Sequence, residues 1–339
     1  MVLESKNDDK KPYLRIMVLV FIFHHFRIKS VIIFVRMSQE ELVQSIQSAI
    51  TDEIFFALGL NRRGFLRRSM GWVFSWPTKI FAKHLAAADE AVAAGGAPAG
   101  GQKILDLLGV KPEVLGRSNI PVDSPTILLC NHPGAYDSMA IASQIPRTDL
   151  KAIVSLTRLY QNLPHIHPVL LYVGEDTHSQ SLVLKGAIAH LKGGGSLLQF
   201  GSGLIEPDPA THPLTDEVFK KWSPSLEIFL RKVPESRVVP TITSGVLLPR
   251  FMHHLLVRLR RDAMDKRRLA EFLQIIQQLL FSRTVTAKPM ISFGKPFMIS
   301  DLDLVENGRI MPAVITKVKA QLVAHLEWIS SEKNQSADW

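Results

Sequence analysis

The sequence predicts an α/β protein with a mixed, mostly parallel sheet flanked by helices. Short apolar runs of strand length recur after Gly101, and segments of helical length, such as Ser179 to Leu191, separate them. Continuous apolar runs are typical of strands that are buried on both faces, which favours a parallel sheet covered by helices. The predicted strands are Ile127 to Cys130, Ala152 to Ser155, Val169 to Val173, Ser196 to Phe200, Val238 to Ile242 and Met290 to Phe293.

Residues 1–36 lack a clear structural pattern. Their two apolar stretches, Ile16 to Phe23 and Val31 to Val35, are separated by histidines and cations, so they do not predict a clean membrane-spanning helix. They also make a poor secretory signal, because acidic residues precede them and no small-residue cleavage site follows the first run. We expect a weakly structured extension or the product of an upstream start codon.

A helix is predicted directly after this extension. Met37 is followed by Ser38 and Glu41, which have the spacing of a capping box. We therefore predict a helix from Gln39 to about Leu58, and Met37 is an alternative start of the chain.

Residues 37–101 are predicted to form an N-terminal amphipathic helical segment that associates with a membrane. Aromatic and cationic side chains alternate between Phe55 and Lys83, with Trp72 and Trp76 among them. Tryptophan and phenylalanine favour the lipid headgroup boundary, and each cation near an anionic surface adds about 1 kcal/mol. A basic helix packed on the domain is the alternative. Ala86 to Gly101 predicts a helix end and a flexible linker, and residues 102–332 form the predicted catalytic domain.

The charge and cysteine content narrow the function classes. The 339 residues carry a formal net charge of +9, which favours an acidic partner such as anionic lipid, nucleic acid or coenzyme A. Arg250 to Phe281 is a predicted long helix or helix pair and carries seven of the cations, six of them from Arg258 to Arg268. The single cysteine, Cys130, excludes an internal disulfide and cysteine-based zinc or iron–sulfur sites.

The richest polar stretch follows the first predicted strand of the sheet. It runs from Asn131 through His132, Pro133 and Gly134 to Asp137. Reactive groups gather at the carboxyl ends of strands in open α/β sheets, and the Pro-Gly pair favours a turn that folds the aspartate onto the imidazole. Such a histidine can act as a general base. The alternative is a loop histidine followed by an aspartate that only caps the next helix.

Four blocks together resemble the glycerolipid acyltransferases of the 1-acylglycerol-3-phosphate acyltransferase family. The first is His132-x-x-x-x-Asp137. Phe200-Gly201-Ser202-Gly203 lies where the family has Phe-Pro-Glu-Gly, and Val239-Pro240-Thr241-Ile242 and Gly294-Lys295-Pro296-Phe297 are similar to its two later blocks. The resemblance covers residues from about 105 to 300. It implies the fold of a glycerol-3-phosphate acyltransferase, a role in phospholipid biosynthesis, and residence at the cytoplasmic face of a membrane as a peripheral or monotopic protein.

The resemblance also implies a reaction and its residues. His132, oriented by Asp137, would take the proton of an acceptor hydroxyl, which attacks the thioester of acyl-coenzyme A or acyl carrier protein. Backbone amides near Gly134 or Gly203 are candidates for the oxyanion site. The partners are then the acyl donor, a lysolipid acceptor and an anionic membrane surface, without a metal or other cofactor and without nucleic acid. The expected substrate-binding residues are Asn131, Gly134, Arg158, Phe200, Gly201, Ser202, Gly203, Glu206 and Thr241.

Departures from the family concern the acceptor. The arginines that hold the phosphate of lysophosphatidate in the family are replaced by Leu204-Ile205 and by Gly174-Glu175-Asp176. Ser202 stands where the family has glutamate, and Glu206 is a candidate for the displaced carboxylate. Either Arg158 or Arg250 binds a phosphate instead, or the acceptor is not a simple phosphate monoester.

Other functions stay open at the level of sequence. A catalytically silent lipid-binding or scaffold protein that kept this fold is the main alternative. Cys130 and His132 could form a nucleophilic pair, although a cysteine in an apolar strand is more often core. The His165-x-His167 and His253-His254 pairs lack a carboxylate or cysteine at the spacing of a metal site. Nucleic-acid binding has no recognition motif to support it.

Overall fold

A computed structural model of the chain contains a sheet of seven strands with helices on both faces. It describes the backbone of residues 15–24, 27–36, 38–57, 65–174, 176–260, 262–281, 287–303 and 308–337. The strands are β1 (Arg15–His24), β2 (Arg27–Arg36), β3 (Glu113–Leu115), β4 (Thr126–Cys130), β5 (Lys151–Ser155), β6 (Leu170–Val173), β7 (Ser196–Phe200), β8 (Arg237–Ser244) and β9 (Met290–Phe293). The helices are α1 (Gln39–Ala57), α2 (Phe65–Leu108), α3 (Ala135–Gln144), α4 (Arg158–Gln161), α5 (Thr177–Lys192), α6 (Asp216–Phe219), α7 (Ser225–Lys232), α8 (Pro249–Met252), α9 (Leu255–Arg258), α10 (Ala263–Leu280) and α11 (Ile310–Ala337).

The strand order of the large sheet puts β4 at its centre. The order is β3-β9-β8-β4-β7-β5-β6, and neighbouring strands are parallel except for the antiparallel pair β8 and β9. The predicted mixed, mostly parallel sheet flanked by helices is therefore confirmed. Because β4 is parallel to both β7 and β8, the carboxyl ends of these three strands meet at one edge, where open α/β sheets bind their ligands.

The residues of β4 show why the predicted strands are continuous apolar runs and do not alternate between apolar and polar residues. Leu128 and Cys130 pack into a core with α1, α2 and α3 on one face of the sheet. Ile127 and Leu129 pack into a second core with α5, α7 and α11 on the other face. Since successive side chains of a strand point to opposite faces, a strand covered on both sides needs an apolar residue at every position.

All six predicted strands are present, with ends shifted by at most two residues. The sequence did not predict β3, because it has three residues, begins with a glutamate and is largely exposed at the edge of the sheet. The basic segment from Arg250 to Phe281 forms two single-turn helices, α8 and α9, followed by α10.

The predicted start of α1 is confirmed in detail. The amide of Ser38 donates to Glu41 Oε2 at 2.7 Å, and the amide of Glu41 donates to Ser38 Oγ at 3.2 Å. This reciprocal pair satisfies two amides of the first turn that have no partner within the helix.

The expected linker at Ala86 to Gly101 is helix in the structure, which corrects that prediction. α2 continues through it to Leu108 and is interrupted only by non-helical angles at Gly95 and Gly96. Glycine is needed here for packing as well as for the bend. A Cβ at Gly101 would lie 2.7 Å from the carbonyl oxygen of Met139 in α3, so the absence of side chains lets the two helices approach closely.

The N-terminal strands form a separate two-stranded sheet. β1 and β2 pair antiparallel, with Arg15 opposite Arg36 and His24 opposite Arg27. The predicted division into residues 1–36, 37–101 and 102–332 stays a prediction. None of the helices in the described part of the chain combines the length and the apolarity needed to cross a bilayer.

The bend in α2 generates a stability prediction. Gly96 has a φ of 69°, and a Cβ there would lie 2.3 Å from the carbonyl oxygen of Thr148. Gly194 also has a positive φ, 83°, but a Cβ there would meet nothing within 4 Å. Gly194→Ala should lower the free energy of unfolding by about 1–2 kcal/mol, which is the cost of the left-handed backbone.

Gly96→Ala should cost more than Gly194→Ala, because it adds the clash with Thr148 to the same backbone penalty. The free energies of unfolding of both variants are measured by urea titration monitored by circular dichroism. Equal losses in the two variants would mean that the bend of α2 is not held against the Thr148 carbonyl.

Candidate active site

The turn after β4 is anchored to β8 by a buried asparagine. Asn131 Nδ2 donates to the carbonyl oxygen of Thr243 at 2.9 Å, and Asn131 Oδ1 accepts from the Thr243 amide at 2.8 Å. The side chain thus continues the pairing of β4 and β8 beyond the last backbone partner. This fixes where the chain leaves the sheet and, with it, the position of His132.

His132 and Asp137 form a direct hydrogen bond. The distance from His132 Nδ1 to Asp137 Oδ2 is 2.7 Å, and the same oxygen accepts from the Gly134 amide at 3.1 Å. Asp137 therefore both orients the imidazole and caps α3, so the two sequence-based interpretations hold together. With Nδ1 donating its proton to the carboxylate, Nε2 is left as the nitrogen that can accept one.

The two side chains differ sharply in exposure. Asp137 is fully buried, whereas the side chain of His132 is 23% exposed. The imidazole stacks on the ring of Phe200, the last residue of β7, with 4.2 Å between ring centroids. Asp137 Oδ1 is buried and has no hydrogen-bond partner among the described residues. A buried carboxylate that orients a partly exposed histidine is an arrangement suited to general-base catalysis.

Several carboxylates act on the protonation of His132. Burial lowers the pKa of His132, but the charge and hydrogen bond of Asp137 raise it, and the charges of Glu271 and Glu206 raise it further. The net pKa lies above the ordinary value for histidine. The imidazolium that forms when the ring takes a proton is thus stabilised by its surroundings.

The loop after β7 is held against this turn by Glu206. The Glu206 amide donates to the carbonyl oxygen of His132 at 2.7 Å, and the His132 amide contacts Glu206 Oε2 at 3.4 Å. Trp222 Nε1 donates to Glu206 Oε1 at 2.9 Å. Burial raises the pKa of Glu206 despite these hydrogen bonds. The structure thus brings Glu206, the predicted replacement carboxylate, to the backbone of His132.

Asp208 ties the same loop to the end of β8. Its Oδ1 accepts from the Gly245 amide and its Oδ2 from the Val246 amide, each at 3.0 Å. Glu206 and Asp208 therefore fix one loop to the carboxyl ends of both β4 and β8. The prolines at 207 and 209 restrict the backbone between and after them.

The three residues that follow Phe200 in the Phe200-Gly201-Ser202-Gly203 block differ from one another in their contacts. Gly201 packs against Trp222, where a Cβ would lie 2.1 Å from the indole ring. Ser202 Oγ accepts from the Leu204 amide and donates to the Leu204 carbonyl. Gly203 is exposed, with a φ of 67°. The Gly134 amide already donates to Asp137. Of the two predicted oxyanion glycines, Gly203 is therefore the one whose amide has no hydrogen-bond acceptor among the described residues.

Thr241 and Cys130 lie inside the sheet. Both are fully buried, and Thr241 Oγ1 donates to the carbonyl oxygen of Val239 in its own strand. Burial raises the pKa of the Cys130 thiol well above its ordinary value, so this cysteine is not a thiolate nucleophile. The Cys130–His132 interpretation therefore lacks support.

Three arginines bear on the predicted anion site. Arg158 begins α4, and its side chain lies outside the described residues. Arg250 is exposed on α8, with its guanidinium 5.1 Å from the centroid of the Phe251 ring. Arg267 Nη1 donates to the carbonyl oxygen of Ile205 at 3.1 Å and interacts with the charges of Glu271 and Glu206. The structure thus brings Arg267, and not Arg250, to the loop beside His132.

An apolar groove of about 250 Å³ lies between α1, α2 and α10. Its lining residues are Ile50, Glu53, Ile54, Pro77, Thr78, Phe81, Leu159, Arg268, Glu271, Phe272, Ile275, Ile276 and Leu279. Glu271 joins this groove to the histidine turn, because a Cβ at Gly134 would lie 2.7 Å from Glu271 Oε1. Glu271 therefore lines the groove and also lies against the turn that carries His132.

Sequence reasoning missed Glu271, Trp222 and Asp208 as parts of this site and did not single out Arg267. Only the Glu-Pro-Asp-Pro run gave a local signal, since a carboxylate between prolines is constrained in place. Glu271 and Arg267 belong to an amphipathic helix whose polar residues look like a solvated face in the sequence. In the described part of the chain, no group of three or more His, Cys, Asp or Glu residues could hold a metal ion.

The charges around His132 predict the effect of one substitution on its titration. Glu271→Gln should lower the pKa of His132, because removing a negative charge destabilises the imidazolium. Nuclear magnetic resonance titration of ring-labelled histidine measures this directly, with His132→Ala to assign the signal. Glu217→Gln is the matched control, since Glu217 is exposed and pairs with Lys220. An unchanged or raised pKa in Glu271→Gln would contradict the proposed proximity.

Comparisons with known proteins found similarity among solved structures. No family model matches the chain, and no curated protein matches it. Among solved structures, the chain is similar to the crystal structure of the 1-acyl-sn-glycerophosphate (LPA) acyltransferase PlsC from Thermotoga maritima. The sequence identity is 17% and the TM-score 0.42, and the match covers 84% of this chain and 96% of that chain.

Proposed function

We propose that the protein is an O-acyltransferase. It moves a fatty acyl group from acyl-coenzyme A or acyl carrier protein to a hydroxyl of a lysophospholipid or related glycerolipid. The observation that carries the proposal is the hydrogen bond between His132 and the buried Asp137 at the carboxyl end of the central strand. This pair has the geometry of a base and its orienting carboxylate.

In the proposed reaction, His132 Nε2 takes the proton of the acceptor hydroxyl as its oxygen attacks the thioester carbonyl carbon. The resulting tetrahedral intermediate collapses when its carbon–sulfur bond breaks, and His132 returns the proton to the departing thiolate. The products are an ester and a free thiol. Asp137 keeps the imidazole in one tautomer and, with Glu206 and Glu271, stabilises the imidazolium between the two proton transfers.

The groove between α1, α2 and α10 supports a role in holding the acyl chain. Its walls are mainly aliphatic and aromatic, and Glu271, one of its lining residues, lies against the turn that carries His132. A chain lying in this groove can therefore bring its thioester to the histidine. Burial of methylene groups contributes about 0.8 kcal/mol each, so the groove can select donors by chain length.

Attachment to an anionic membrane is part of the proposal and is supported by α2. Trp72 is 81% exposed and Trp76 is 61% exposed, whereas Phe74 between them packs edge-on against Phe272 of α10. One side of the helix thus binds the domain while its tryptophans project from it. Exposed tryptophans are typical of side chains that lie at the lipid headgroup boundary.

Substitution of the dyad is the primary test of this function. His132→Ala should reduce transfer of radiolabelled acyl groups to lysolipid by at least about 10³-fold, and Asp137→Asn by about 10²–10⁴-fold. His132→Asn is a second variant, because its amide can still donate to Asp137 and so preserve the fold. Thermal unfolding checks that each variant is folded.

The matched control is His165→Ala. His165 also donates to a buried carboxylate, Asp89, at 2.8 Å, but it lies outside the turn after β4. It should retain full activity. If folded His132→Asn transferred acyl groups as well as the natural protein, His132 would not be the base of the reaction. If neither protein had activity with any acceptor, a silent lipid-binding protein would replace the enzyme as the best account.

Substitution in the groove tests the acyl site separately. Ile276→Trp narrows the groove, so it should lower kcat/KM for palmitoyl-coenzyme A by about tenfold and leave that for octanoyl-coenzyme A nearly unchanged. Leu182→Trp is the control, because Leu182 is 54% exposed on α5 and does not line the groove. An equal effect on both donors would contradict an acyl-chain role for the groove.

A further inference from the structure

Three leucines project from a single turn of helix on the surface. Leu255 is 69% exposed, Leu256 is 49% exposed and Leu259 is 72% exposed. They occupy α9 and the residue that ends it, and their spacing of one and four residues gathers them on one side of the turn. Single exposed leucines are ordinary on protein surfaces, but a cluster of three on one short turn is not.

This turn is held with the leucines outward. Val257, on the opposite side, is fully buried and packs with Phe251, Leu269 and Ala270. His254 Nδ1 accepts from the Leu256 amide at 3.3 Å and caps the start of the turn. The exposure of the leucines is thus a feature of a packed element.

The loop that leads to the turn is fixed as well. Gln274 of α10 accepts from the Leu248 amide at 2.8 Å and donates to the Val246 carbonyl at 2.7 Å. Together with the hydrogen bonds that the Gly245 and Val246 amides donate to Asp208, these contacts connect the turn to the rest of the domain.

The segment that carries the leucines is rich in cations. Arg250 and Arg258 are exposed and Arg260 is half-buried, residues 246–260 contain no aspartate or glutamate, and the first acidic residue after them is the exposed Asp262. We call the three leucines and these three arginines the leucine–arginine patch. The leucines can enter the acyl region of a membrane, and the guanidinium groups near them can pair with lipid phosphates. The patch therefore matches both the apolar interior and the charged headgroups of an anionic bilayer surface.

The patch lies at the same edge of the sheet as His132. It follows the carboxyl end of β8, and His132 follows the carboxyl end of the adjacent parallel strand β4. Asp208 and Glu206 belong to one loop that contacts both ends. A surface that binds lipid through the patch would therefore bind at the end of the domain where His132 lies.

We propose that the leucine–arginine patch is a second lipid-binding surface, distinct from the tryptophans of α2, and that its partner is an anionic bilayer. The leucines insert below the headgroups while the arginines pair with lipid phosphates. The two attachments then hold the domain at more than one point, with the His132 edge near the membrane. This inference does not depend on the transfer reaction, because vesicle binding needs no acyl donor.

A site-specific fluorophore tests the proposal in the full chain. Leu259→Cys carries an environment-sensitive label, and the natural Cys130 is fully buried, so the label goes to the introduced position. Vesicles of phosphatidylglycerol and phosphatidylcholine should shift the emission to shorter wavelength, and brominated acyl chains should quench it. Leu182→Cys, on α5, is the control position and should show neither change.

Binding measurements provide a second readout. Leu255→Ser with Leu259→Ser should weaken partitioning into the same vesicles by about tenfold or more, while the protein keeps its thermal stability, since both side chains are largely exposed. Arg258→Gln should weaken binding to anionic vesicles and reduce the salt dependence of that binding, and it should leave any binding to pure phosphatidylcholine vesicles unchanged.

Two results would overturn the proposal. One is an unchanged emission at position 259 with vesicles that do bind the protein, which would assign attachment to α2 alone. The other is loss of self-association in sedimentation velocity on Leu255→Ser with Leu259→Ser, with vesicle binding intact, which would make the patch a contact between two copies of the chain. Activity in the acyl-transfer test has no bearing on either result.

Discussion

The buried carboxylate of Asp137 is the interaction on which the proposed chemistry depends. One of its oxygens accepts from both His132 Nδ1 and the Gly134 amide, so a single group fixes the ring, the turn and the first turn of α3. Burying a charged carboxylate is unfavourable, and its other oxygen has no hydrogen-bond partner among the described residues. The fold thus accepts an unfavourable free energy of burial at this carboxylate, and such locally unfavourable groups are typical of functional sites.

The rest of the fold fixes the backbone segments that surround the His132–Asp137 pair. Asn131 locks the end of β4 to β8, and Glu206 and Asp208 lock the loop after β7 to both strands. α10 supplies Glu271 and Arg267 from the other side. Consequently the imidazole is held by Asp137 at the start of α3 and by Phe200 of β7, and the turn that carries it is fixed to β8. The charges of Asp137, Glu271 and Glu206 raise the pKa of His132. Helix α10 also closes the apolar groove, which links the proposed acyl site to the proposed base.

Local patterns in the sequence predicted much of the sheet and the histidine turn. Strands covered on both faces leave apolar runs that can be recognised without an alignment, and His132 to Asp137 form their hydrogen bond within one turn. α2 was predicted to break at Ala86 to Gly101 because glycine is a poor helix former. The structure uses Gly101 for close contact with α3, a requirement of tertiary packing that local propensity does not contain.

The parts of the site that were missed come from distant segments. Glu271 and Arg267 lie in α10. Glu271 approaches the histidine turn, and Arg267 reaches the loop beside it, only because the helix packs back on the sheet edge. Trp222 reaches Glu206 in the same way, through an indole that a glycine at 201 accommodates. The sequence does not indicate which distant group a charged residue of an amphipathic helix will contact. In a turn at a strand end, by contrast, the contacts form between residues only a few positions apart and can be predicted from the sequence.

Thiol release that depends on an acceptor is the most direct test of the central claim, that His132 activates an acceptor hydroxyl toward a thioester. Purified protein is incubated with acyl-coenzyme A, or with acylated carrier protein, and a panel of lysolipids with and without a phosphomonoester, and free thiol is measured with time. The account predicts fast release with at least one acceptor class and only slow release without acceptor. No acceptor-dependent release from either donor with any member of the panel would contradict it.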